Sequence, residues 1–100
     1  MVIIFVSAAP REGMDPAFEL ALDDIARAAR QLTGCLSYHW YYAARPEPGR
    51  YIIFGEFDSQ ASFKAYLQSD VVKRIGQQLL PLLEKKPSYK HYQATIFKEG

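Results

Sequence analysis

A single stripe of apolar residues limits what this chain can fold into. Phe18, Leu22, Ile25, Ala29 and Leu32 follow at spacings of four, three, four and three, so on a helix of 3.6 residues per turn they share one side. Asp15 is the expected N-cap and Pro16 the expected first helical residue, where its missing N–H costs nothing. Gly34 stands where a left-handed cap ends the helix. Asp23, Asp24, Arg27 and Arg30 mostly decorate the other faces. Such a helix must cover something, and strands flank it on both sides.

Val2 to Ala8 is apolar at consecutive positions and rich in β-branched residues, the pattern of a strand covered on both faces. Cys35 to Ala43 alternates Leu36, Tyr38, Trp40 and Tyr42 with Cys35, Ser37, His39 and Tyr41. Ala44 to Gly49, with two prolines, is a turn leading into a strand from Tyr51 to Phe57. Asp58 or Ser59 then caps a short helix carrying Phe63, Tyr66 and Leu67. Ser69-Asp70 opens another, with Val72, Ile75, Leu79 and Leu82 or Leu83 inward and Pro81 kinking or restarting it. Tyr89 to Lys98 is the last expected strand. The order is βαββααβ, an α+β fold: a ferredoxin-like two-layer sandwich of helices on an antiparallel sheet.

One hundred residues are too few for two cores, so residues 1–100 are expected to form one domain. Twelve Lys and Arg against eleven Asp and Glu leave a net charge of +1. That balance provides no basic field for nucleic acid or an acidic membrane surface. The apolar run at Val2 has no basic residue before it and ends far short of the ~20 residues of a membrane helix. The chain is expected to be cytoplasmic and complete from its first strand. Fourteen aromatic residues, seven of them Tyr, exceed what core packing needs and point to a lined cavity or an interface. Apolar and aromatic residues on both strand faces imply a homodimer packed sheet against sheet.

Gly34-Cys35-Leu36-Ser37-Tyr38, Pro48-Gly49-Arg50-Tyr51, Gly55-Glu56-Phe57-Asp58-Ser59 and Ser62-Phe63-Lys64-Ala65-Tyr66-Leu67-Gln68-Ser69 resemble the antibiotic biosynthesis monooxygenase domain. The order of elements agrees with that family from Val2 to Phe97. The resemblance implies a homodimeric α+β barrel with a pocket between each sheet and its helices. Several members of the family oxidise quinols or polyketide aromatics with dioxygen and without metal or flavin; others degrade haem. The family commonly has Trp where this chain has Phe57 and His where it has Tyr66. The haem-degrading branch is similar around Leu67-Gln68-Ser69-Asp70-Val71, but needs an axial His where Gly76 stands and an Asn near Ser7. Gly76 offers iron no ligand.

A phenolate can itself reduce dioxygen, so such a site needs a base and a dry aromatic cleft. His39 and Tyr66 are the candidate catalytic residues; His91 is a second candidate base. Ser7, Trp40, Phe57, Phe63 and Tyr92 are candidate pocket residues. By resemblance Ser7, Phe57 and Tyr66 match pocket positions; packing roles compete for each of them. Two histidines without a carboxylate at ligand spacing make no metal site. Glu56 is expected in an ion pair with Arg50 or a Lys of a second subunit, and Cys35 as an inert small hydrophobe. The expected function is a cofactor-independent monooxygenase acting on a small phenol, quinol or polyketide-type aromatic. A non-oxidative isomerase or cyclase of the same fold, or a non-catalytic dimer binding a small apolar molecule, are the alternatives.

Overall fold

Strand β1 (Val2–Ala8) leads into helix α1 (Asp15–Ala29), followed by β2 (Cys35–Ala43) and β3 (Arg50–Phe57). Helix α2 (Gln60–Leu67) and the short α3 (Asp70–Arg74) come next, then a π turn (Ile75–Leu79), a 3-10 turn (Leu80–Leu82) and β4 (Ser88–Gln93). The structure is a computed structural model and describes residues 1–46 and 48–100. Glu47, inside the expected Ala44 to Gly49 turn, lies outside the described residues. The four strands form one antiparallel sheet in the order β2-β3-β1-β4, with the helices against one face: the ferredoxin-like α+β arrangement.

Alternation along each strand sorts the side chains into two sets. Val2, Ile4 and Ala8 of β1, Tyr51, Ile53 and Phe57 of β3 and Tyr38 of β2 are buried with Phe18, Leu22, Ile25, Ala26 and Ala29 of α1. The stripe read from the sequence is therefore the face that docks α1. The other set points away from the helices: Ile3, Phe5 and Ser7, then Ile52, Phe54 and Glu56, then Ser37, His39 and Tyr41. Among the described residues no helix packs on it, so within one chain β1 is covered on one face.

Two glycines are dictated by their surroundings. Gly55 faces Ile4 and the Tyr38 ring, and a Cβ there would lie 3.0 Å from each. Its missing side chain lets Tyr38 lie across β3. Gly34 has φ +83, and a Cβ on it would meet Ser62 Oγ at 2.1 Å. That serine is itself tied to Asp58, and Asp58 N–H donates to the Gly34 carbonyl at 2.9 Å.

Several details depart from the sequence reading, each for a local reason. Asp15 is the first helical residue rather than the cap, which is Met14; its carboxylate instead accepts from Tyr51 Oη at 2.9 Å. A bulge between Cys35 and Ser37 changes the parity of β2. Leu36 is consequently 59% exposed, and Cys35 packs on the core side. Ser59 does cap α2, accepting from Ser62 N–H at 3.1 Å. Val71, rather than Val72, is the fully buried residue of α3; Val72, Ile75, Leu82 and Leu83 are partly buried. Pro81 falls in the 3-10 turn. β4 stops at Gln93, not Lys98: Val2 pairs with Gln93, and Met1 and Ala94 exchange backbone hydrogen bonds beyond that pair. Phe97 is fully exposed.

Gly34→Ala should destabilise the fold by about 2 kcal/mol or more, combining a left-handed backbone with the clash on Ser62. Urea denaturation checks it; Gly13→Ala, at a site with open space around it, should cost less.

Candidate active site

Helix α2 presents Phe63, Tyr66 and Leu67 at spacings that put them against the sheet. Phe63 and Tyr66 sit with Phe57 in one aromatic cluster, at ring-centroid distances of 5.8 Å (Phe57–Phe63), 4.8 Å (Phe57–Tyr66) and 6.2 Å (Phe63–Tyr66). On its outer side Phe63 meets His91 edge-on at 4.9 Å. Between α2 and the edge strand β4 opens a groove of about 310 Å³, lined chiefly by Val2, Phe63, Leu67, His91 and Tyr92. Gln60 Nε2 donates to Gln93 Oε1 at 3.1 Å and ties the helix to the strand at its margin. The volume lies at the lower end of small-molecule sites, and the mostly apolar lining with few polar groups fits such a role.

Behind the groove the polar tips of the cluster are already engaged. Tyr66 Oη and Tyr38 Oη share a hydrogen bond of 2.9 Å, both buried. Burial pushes the Tyr38 phenol up, and the neighbouring Tyr66 adds to the shift. Burial likewise raises Tyr66, while its hydrogen bond to Tyr38 pulls the other way. Neither phenol is therefore a base near neutral pH. His91, exposed on β4, Lys64 and Tyr92 are the titratable side chains that border the groove among the described residues.

Of the expected site residues, the structure brings Phe57, Phe63, Tyr66 and Tyr92 to this end of the molecule, with Phe63 and Tyr92 lining the groove and the other two behind it. Ser7 and His39 lie on the open face of the sheet, Ser7 paired with Ile52 and His39 with Phe54. His39 and Tyr66 thus stand on opposite faces of the sheet formed by β2 and β3. Trp40 lies on the helix side but over α1, its Nε1 donating to Asp23 at 2.8 Å and its ring 5.7 Å from Tyr51. Glu56 accepts from Ser37 Oγ at 2.7 Å, and Arg50 reaches Ser7 rather than Glu56. Burial raises the Cys35 thiol, in keeping with an unreactive sulfur. Gln60, Leu67 and Gln93 were not singled out by the sequence reading. The four-residue step from Phe63 to Leu67 was the available signal for the second wall.

A ferredoxin-like sheet with a groove between its helices and its edge strand defines a class of small α+β domains. Residues 1–78 match the model of the antibiotic biosynthesis monooxygenase family, and the chain belongs to that family. Its fold is similar to that of a Mycobacterium tuberculosis protein (20% identity, TM-score 0.87, 98% of each chain). A candidate antibiotic biosynthesis monooxygenase from Deinococcus radiodurans is similar over 100% of both chains (25% identity, TM-score 0.84). Another, from Caulobacter crescentus, covers 95% of this chain and 90% of its own (20% identity, TM-score 0.85). No functionally curated protein matches the sequence significantly.

Tyr66→Phe should cost about 1–3 kcal/mol, because it leaves the Tyr38 hydroxyl buried without a partner. Tyr38→Phe should cost a similar amount, and the double variant less than the sum. Equilibrium urea denaturation of all three reads the coupling.

Proposed function

We propose that the chain is a cofactor-independent monooxygenase whose substrate, a small phenol or quinol or a polyketide-type aromatic, binds in the groove between α2 and β4. The observation that carries this reading is a histidine in edge contact with the aromatic wall of that groove. Membership of the monooxygenase family supports the reaction class.

The chemistry needs little more. His91 takes a proton from a phenol or its ring-CH₂ tautomer. The resulting anion gives one electron to dioxygen, and the radical pair recombines to form a C–O bond. The peroxide takes the proton back from the imidazolium. Loss of water then breaks the O–O bond and the remaining C–H bond, leaving a carbonyl. The sum is CH₂ plus O₂ to C=O plus water, with no outside reductant. Phe63 and Leu67 exclude water from the anion, and Tyr66 holds α2 in place from behind. In this reading His91 takes the role that the sequence alone gave to His39.

The open face completes the assembly as a homodimer. Phe5 and Phe54 form a cross-strand pair there, flanked by Ile3 and Ile52 on the rows to either side, and Phe5, Tyr41 and Tyr92 are 40%, 55% and 48% exposed. A second copy covering that face removes it from water.

Oxygen-electrode assays with hydroquinones and anthrones test the activity. His91→Ala should lower turnover about 100-fold or more, while His39→Ala should leave it within a few-fold of wild type. Uptake no faster than the uncatalysed background across the panel would sink the oxygenase reading. For the dimer, Phe54→Arg should convert the sedimenting species to a monomer.

A further inference from the structure

The groove between α2 and β4 is unbalanced in charge. Gln60, Phe63, Lys64 and Leu67 recur at helical spacing on α2, so all four share the side that lines the groove. Lys64 is the one charged residue of that helix, and neither α2 nor β4 contains an Asp or Glu. Lys90 of β4 lies opposite Phe5 and so points to the other face of the sheet. Among the described residues Lys64 enters no ion pair, and no carboxylate lines the groove. Gln60 and Gln93 spend a hydrogen bond on each other at the margin. The groove thus carries a permanent positive charge and nothing of its own to neutralise it.

Depth separates that charge from the reacting position. Phe63 is half-buried and meets His91 edge-on at 4.9 Å, whereas Lys64, one residue on, is exposed. A phenol held against Phe63 and His91 therefore has its far side at the mouth, beside the ammonium. An ammonium offers three N–H donors and no acceptor, so it calls for an anion. As a compact point charge on a flexible stem, it takes that anion without the two-pronged fit of a guanidinium. Its exposure holds the attraction to the scale of a surface ion pair, and the apolar walls Val2, Phe63 and Leu67 strengthen it relative to open water.

Resting on the reading of this groove as the substrate site, we propose that Lys64 is a specificity-determining residue and that the substrate is acidic. It is an aromatic phenol, quinol or anthrone-type ring that carries a carboxylate on the side away from the carbon to be oxidised. The ring lies on Phe63 and Leu67 with its phenol toward His91, and the carboxylate pairs with Lys64 at the mouth. None of these contacts draws on the open sheet face, so a second copy seated there leaves them in place.

Calorimetric titration of the intact protein with meta-hydroxybenzoate and meta-hydroxybenzamide, phenols alike in shape and different in charge, tests the preference without turnover. The acid is expected to bind about threefold to tenfold more tightly than the amide, and the gap to narrow as salt rises. Lys64→Gln should remove the gap and Lys64→Glu should reverse it. Both variants should melt close to the wild type, since the side chain is exposed. Backbone amide shifts on adding the acid should centre on Phe63, Lys64 and His91. In oxygen-uptake assays an anthrone carboxylate should exceed the matching carboxamide in kcat/KM by a similar factor, and Lys64→Gln should erase that advantage. No binding of the acid, equal binding of acid and amide, a gap that survives Lys64→Gln, or shifts away from α2 and β4 would each overturn the inference. A Lys64-dependent gap in binding without oxygen uptake would uphold the acid preference and overturn the oxygenase reading alone. Equal uptake with both anthrones, unaltered in Lys64→Gln, would do the reverse.

Discussion

A sheet has two faces, and this chain has helices enough for one. That constraint organises the molecule. Every strand must present one row of side chains that packs under α1, α2 and the turns after α3, and another that the chain leaves uncovered. Burying the first row supplies the cohesion of the fold: Phe18, Leu22 and Ile25 against Tyr51, Ile53 and Phe57 are at or near complete burial. At roughly 25 cal/mol per Å² of apolar surface, such contacts outweigh any ion pair on the surface. The ion pairs here are in keeping with that, being solvent-exposed pairings such as Arg27–Asp24 and Lys73–Asp70.

The helix-facing row is aromatic rather than aliphatic, and this sets a second condition. Tyr and Trp bring polar tips into an apolar layer, and each tip needs a partner. Tyr38 meets Tyr66, Tyr51 meets the carboxylates of Asp15 and Glu19, and Trp40 meets Asp23. Among the described residues no buried side-chain nitrogen or oxygen is left without one. Each of these bonds joins a strand to a helix, so the aromatic rings fix where α1 and α2 sit along the sheet as well as filling the space between. The phenol of Tyr51 is pushed up by burial and by its two carboxylate neighbours, so this link holds its proton throughout the neutral range.

The elements were legible in the sequence wherever a strong periodicity stood alone. The α1 stripe, the Val2–Ala8 strand and the Cys35–Ala43 strand have the expected extents or nearly so. What periodicity could not register was long-range supply. β4 is shorter than its alternation suggests, its ladder with β1 ending at the Val2–Gln93 pair. The bulge at Leu36 was equally hidden, since it depends on the partner strand rather than on β2 itself. The candidate site was legible as a set of residue types but not as a constellation. Strand parity separates His39 from Tyr66, and parity within one strand is readable. Which parity faces the helices is decided by all four strands together. His91 entered the groove for the same reason: Ile4 lies opposite it and is buried under the helices.

The indole of Trp40 has a consequence for anyone observing this molecule in solution. It is the only tryptophan in the chain, and it is anchored to Asp23 on α1 and tilted against the Tyr51 ring. The groove between α2 and β4 draws none of its lining from that region. Intrinsic fluorescence therefore watches the seam between α1 and the sheet, and it reports that helix lifting away. A molecule entering beside His91 would leave the same signal quiet, so optical silence is no sign of an empty groove.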